Sequence, residues 1–198
     1  MIEFKQSALL ALVRRYYPRG SAWNDHDHNP PPDLPEEIKR LAALWERELA
    51  NDETWQRLKQ TLRDCLSQGV GEMSVPVHDA GRRCAVYLDH FKDVPRGQPA
   101  RIVVGAVSLI APLYYVYGVN RTYDDPRNPD QLLVELPPGE MKEVGEVVAR
   151  CIEQVYDYRP LPVELARVPV EGLCMDHMRF EGWTLLEALF TTDPANLP

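Results

Sequence analysis

Cysteine is scarce: four residues in 198, at positions 65, 84, 151 and 174, with no C-x-x-C spacing among them. That excludes a disulfide framework and a cysteine-built zinc knuckle. Cys65 and Cys151 fall on the apolar faces of predicted helices, where a free thiol behaves as a small hydrophobe, and the pattern suits a reducing cytoplasm. Basic residues are also in deficit, 22 against 30 acids, for a net charge of -8. Such a surface repels phosphates and attracts basic partners, so direct nucleic-acid binding is not expected. No G-x-G-x-x-G, Walker loop, H-E-x-x-H or G-x-S-x-G is present, which removes the commonest nucleotide, zinc-protease and serine-hydrolase signatures. The start, "MIEFKQSALLALVRRYYP", carries an early acid and places its basic pair after the apolar run, the reverse of a secretory leader.

What is there reads as helices, then strands, then helices. Leu9, Leu10, Leu12, Val13, Tyr16 and Tyr17 recur at helical spacing and stop at Pro18 and Gly20. Ile38, Leu41, Leu44, Trp45 and Leu49 mark a second helical face, and Trp55, Leu58, Leu62, Cys65 and Leu66 a third. The short "ANDE" link predicts that these two pack as an antiparallel pair, with Gly69 and Gly71 forming the turn after them. From Cys84 the period changes. "CAVYLDHF" and "RIVVGAVSLIAPLYYVYGVNR" are rich in strand formers, and Pro112 together with the Val/Tyr content predicts strands of a covered sheet rather than a membrane span. "LLVEL" (132–136) predicts a hairpin partner for that run. Val144, Val147, Val148, Cys151, Ile152 and Val155 outline an amphipathic helix, and Thr184 with Glu187 gives the capping-box spacing for a short final one. The expectation is a single α+β domain over 1–198, with a mostly antiparallel sheet and about four to five helices.

"SAWNDHDHNPPPDLPEE" (21–37) alternates Asp25, His26, Asp27 and His28. In an extended segment both imidazoles share one side, which suits part of a zinc or manganese site in a metal-dependent hydrolase. His78, His90, Cys174 and His177 are the other candidate ligands, but no metal-binding spacing connects them. A polar loop leading into a helix, with Asp33 three residues before Glu36, is the favoured reading, and no metal or cofactor is expected. Ser108 lies within an apolar run and reads as core. Trp23, Trp45, Trp55 and Trp183, with Tyr114, Tyr115 and Tyr117, divide between core and surface anchor. Asp25, Asp27, Asp33, Asp124, Asp125 and Asp130 lie on predicted turns, where carboxylates stay available to a partner, and are the expected contact residues.

In "RRYYPRG" (14–20), "EEIKRLAALWERELANDETWQRL" (36–58), "VSLIAPLYYVYG" and "WTLLEALF", the chain resembles small acidic immunity proteins encoded beside bacterial polymorphic toxins, notably those paired with restriction-endonuclease-like toxin domains. The resemblance implies no catalysis: such a protein binds its cognate toxin in the cytoplasm and blocks its active site or its folding. A basic toxin would suit the acidic charge, since opposite charge speeds encounter. A non-catalytic structural or regulatory subunit is the remaining alternative.

Overall fold

Alternation along three central strands decides the architecture. The computed structural model describes residues 5–18, 35–90, 92–95, 97–122, 130–173 and 183–197. In chain order these form α1 (Gln6–Val13), α2 (Glu36–Ala50), α3 (Glu53–Cys65), β1 (Gly69–Glu72), β2 (Gly81–Tyr87), β3 (Ala100–Ser108), β4 (Leu113–Arg121), β5 (Gln131–Leu133), α4 (Glu140–Tyr156), β6 (Arg159–Pro160), α5 (Val163–Ala166) and α6 (Leu185–Leu189). The sheet runs β1-β2-β3-β4-β5 with every neighbour antiparallel, and β6 joins β4 in parallel at Leu113 and Tyr114. The fold is α+β.

Because successive strand residues point to opposite faces, each central strand serves two cores. Ala85, Ile102, Val104, Ala106, Leu113, Tyr115, Tyr117 and Val119 turn to the first, with Leu9 and Val13 of α1, Leu41 and Trp45 of α2, and Leu185 and Leu189 of α6. Cys84, Val86, Val103, Val107 and Tyr114 turn to the second, with Trp55, Leu58 and Leu62 of α3 and Val144, Val148 and Ile152 of α4. A sheet covered on both faces needs apolar residues at every position, not every other one. This explains the unbroken run from Ile102 to Val119: it is two buried strands, and Pro112 sits in the turn between them. Among the described residues no helix is long and apolar enough to cross a membrane.

Four expectations need correction. The apolar faces of α2 and α3 do not pack as a pair, since Leu41 and Trp45 belong to the first core and Leu58 and Leu62 to the second. Periodicity shows that a helix has an apolar face but not which sheet face it covers. Gly69 and Gly71 form an edge strand, not a turn. Cys65 is exposed, because it ends α3 where the helix leaves the core. Pro35, rather than Asp33, occupies the N-cap of α2. The capping box at Thr184 and Glu187 and the β4–β5 hairpin form as the spacing predicts.

Close approach of helix and sheet is set at Gly105, where an added Cβ would stand 2.6 Å from Val148 Cγ1 and 3.2 Å from Ile152 Cδ1. Gly105→Ala should therefore cost about 1–3 kcal/mol by overpacking. Trp45 is 1% exposed and donates its indole N–H to the Asp79 carbonyl at 2.6 Å. Trp45→Ala should cost roughly 3–5 kcal/mol in urea unfolding; a loss under about 1 kcal/mol would contradict that packing.

Candidate binding surface

Two consecutive arginines on β2 point, by the same alternation, into opposite cores. Arg82 lies 4.6 Å from the Trp55 ring centre and bonds Asp52 and Glu72, the latter at 2.7 Å, while Lys59 reaches the other Glu72 oxygen at 2.7 Å. Burial alone would raise the Glu72 carboxyl, but hydrogen bonds from Lys59 and Arg82 bring it below its ordinary value.

Arg83 is more enclosed. It stands 3.4 Å from Asp79, and both side chains are at most 2% exposed. Its guanidinium also donates to the carbonyls of Asp193 at 3.0 Å and Asn196 at 3.4 Å. Asp79 accepts from the Thr192 backbone N–H at 2.8 Å and from its hydroxyl at 3.1 Å. Burial pushes the Asp79 carboxyl up, against the pull of Arg83 and Thr192, and pushes the neighbouring Tyr117 phenol up to about 12. The pair clamps the C-terminal segment onto the start of β2.

Immediately before Asp79 the chain makes a strained turn, Val75-Pro76-Val77-His78, closed by the Asp79 N–H to the Val75 carbonyl at 3.1 Å. Val77 has φ of 71°. A β-branched residue there is an outlier that costs of order 1–3 kcal/mol and persists only where its surroundings over-determine it. Asp79, held by Arg83, Thr192 and Trp45, supplies that constraint. Val75 at 43% and Val77 at 39% are exposed, and with Leu49 at 52% they are the large hydrophobics on the surface of the described residues. Leu49 follows Trp45 by one turn on the same side of α2. A strained, exposed apolar turn on a rigid base is suited to protein contact.

Of the expected contact acids, Asp25, Asp27, Asp33, Asp124 and Asp125 lie outside the described residues, as do His26, His28, Cys174, His177 and Trp23. Asp130 accepts the Thr122 N–H at 3.2 Å and stands 3.7 Å from Arg121, so it closes the β4–β5 hairpin. Ser108 is fully buried and accepts the Ile110 N–H. Trp45, Trp55, Trp183, Tyr114, Tyr115 and Tyr117 are core rather than surface anchors. His78 is exposed on the strained turn; His90, also exposed, stands 4.0 Å from Asp93 beside a polar hollow of about 790 Å³. Arg101 in that hollow is held by Asp89 at 2.7 and 2.8 Å and by Glu140 at 3.0 Å. Among the described residues no three His, Cys, Asp or Glu side chains converge as metal ligands. The strained turn and the clamp were missed from the sequence, although "VPVHDAGRRC" shows the signal: two arginines opening a strand that is otherwise core.

Asp79→Ala should cost roughly 3–5 kcal/mol, because Arg83 would stay buried without its counter-charge. The folded pKa of Asp79 lies above its ordinary 3.8, so its contribution to stability is fully present below about pH 4 and is lost as pH rises through the folded value. Asp79→Asn should flatten that part of the stability profile, read from urea midpoints across mildly acidic pH. Val77→Gly should leave stability unchanged or raise it by about 1 kcal/mol, since glycine adopts positive φ without strain. Compared with protein-family models, curated proteins and solved structures, the chain matches none.

Proposed function

We propose that this chain is a non-catalytic binding protein of the immunity type, which captures a basic protein toxin in a stoichiometric complex and so neutralises it in the cytoplasm. The observation that carries the reading is the turn at Val75–His78: an apolar, strained segment held out from a buried ionic clamp. Backbone strain of this kind concentrates where a surface is shaped for a ligand. A pre-formed loop also loses little entropy on binding.

Charge and contact divide the work. The net charge of -8 draws a basic partner in over a Debye length of about 8 Å at physiological salt. Asp25, Asp27, Asp33, Asp124 and Asp125 are the steering carboxylates, and Asp130 adds charge while closing its hairpin. Once the partner docks, Val75 and Val77 hold it by desolvation, which acts on dissociation rather than encounter. A nuclease is the first toxin class to try, because an enzyme that grips phosphates presents the positive surface this charge complements.

The test is co-expression with the product of the adjacent reading frame, scored by rescue of growth, followed by stopped-flow kinetics on the purified pair. Binding at about nanomolar Kd is expected. Asp124→Asn with Asp125→Asn should slow association roughly tenfold, and added salt should do the same. Val75→Ser with Val77→Ser should raise the dissociation rate about tenfold or more, equivalent to at least one good contact. No complex and no rescue would remove the reading; a salt-independent association rate would keep the complex and reject steering.

A further inference from the structure

A buried ion pair is tolerated only when the rest of its hydrogen-bonding capacity is met. At the Asp79–Arg83 clamp the surrounding protein meets only part of it. Asp79 Oδ1 accepts the Thr192 N–H and hydroxyl, and Arg83 Nη1 donates to the Asp193 and Asn196 carbonyls. Asp79 Oδ2 and Arg83 Nε have no hydrogen-bond partner among the described residues, although Oδ2 stands 3.4 Å from Nη2 of the same guanidinium. Three hydroxyls share that condition, those of Tyr17, Tyr117 and Thr191, and all three residues are fully buried.

Topology gathers these atoms. Arg83 of β2 pairs with Ala106 of β3, and Ala106 with Tyr115 of β4, so Tyr117 lies on the same sheet face two residues along. The neighbours between them include Ala85 and Ala106, whose methyls leave depth above the sheet. Thr191 adjoins Thr192, which grips the Asp79 carboxylate. Tyr17 belongs to the same core, edge-on to Trp183 at 5.7 Å. Burial pushes both phenols up, and the Asp79 charge adds to that at Tyr17, so each keeps an O–H to donate.

We propose that the clamp holds an internal water, bound to Asp79 Oδ2 and Arg83 Nε and completed by the Tyr117 hydroxyl, with the Tyr17 and Thr191 hydroxyls as adjoining groups. The chemistry of these atoms selects the ligand. A carboxylate oxygen only accepts, a guanidinium N–H only donates, and a hydroxyl does both. An anion would be repelled by Asp79 and a cation by Arg83, and an apolar molecule would satisfy none of them. What remains is a small neutral molecule that both donates and accepts. Water does so through a single heavy atom and makes about three hydrogen bonds in buried sites. It converts a contact without hydrogen-bond geometry into a bridged pair and ties β4 into the clamp. Because Arg83 also holds the Asp193 and Asn196 carbonyls, exchange of this water requires the C-terminal segment to lift. The site needs no partner protein, so it stands or falls separately from toxin binding.

The experiment pairs a high-resolution crystal structure of the full chain, grown and frozen without glycerol, with water-deuteron magnetic relaxation dispersion in solution. The expected density is one water within about 3 Å of Asp79 Oδ2 and Arg83 Nε. The dispersion step from long-lived internal water should fall by about one water in the double variant Arg83→Met with Asp79→Leu. Apolar replacement of both partners of a buried pair is often tolerated, and an apolar site stays dry. Tyr117→Phe gives a second reading with both charges kept. Its melting temperature should fall, because the water loses a partner, whereas a rise would mean an unpaired hydroxyl and overturn the proposal. Density that refines as an adventitious ion only, direct pairing of Asp79 Oδ2 with Arg83 Nε, or equal dispersion in the two proteins would overturn it as well.

Discussion

A guanidinium and a carboxylate sealed together inside one core set the constraints on everything around them. Arg83 cannot stay buried without Asp79, and Asp79 is fixed in turn by Thr192, with its own carbonyl taken by the Trp45 indole. Through these contacts one ion pair joins β2, α2 and the C-terminal segment, elements far apart in the chain. The same rigidity lets Val77 stay at positive φ, since relaxing that turn would mean moving Asp79. The exposed apolar turn is therefore a consequence of the interior, not an accident of a loose loop.

Around the clamp, the sheet divides the molecule into two layers with different characters. The first core gathers scattered pieces, α1, α2, α5 and α6, and is tied by polar fasteners. The second is two long helices laid against the sheet, with Gly105 allowing α4 to come close to β3. Its polar contacts lie at the margin, where Arg82 rests under Trp55 between Asp52 and Glu72. The strained turn belongs to the first layer, beside the buried clamp that holds it.

Much of the fold was legible because it follows from local pattern. Helical spacing located α2, α3 and α4, the Thr184–Glu187 box located α6, and β-branched and aromatic runs located β3 and β4 with Pro112 between them. Little of the binding surface was legible. Turn composition pointed to exposed acids, yet Asp130 closes its own hairpin, and the apolar turn at Val75 and Val77 was not anticipated. Composition indicates which residues prefer water; it does not indicate which are held in it against that preference.

The sequence by itself determined the element types, the mixed α+β class and the acidic charge, because propensity, capping and net charge act over a few residues or over the whole composition. Only the tertiary structure decided that α2 and α3 cover opposite faces of the sheet and that Arg82 and Arg83 enter different cores. A period of 3.6 or 2 says that a face exists, but the partner for that face comes from residues tens of positions away. Pairing across such distances is settled by which arrangement buries the apolar area and leaves no charge alone.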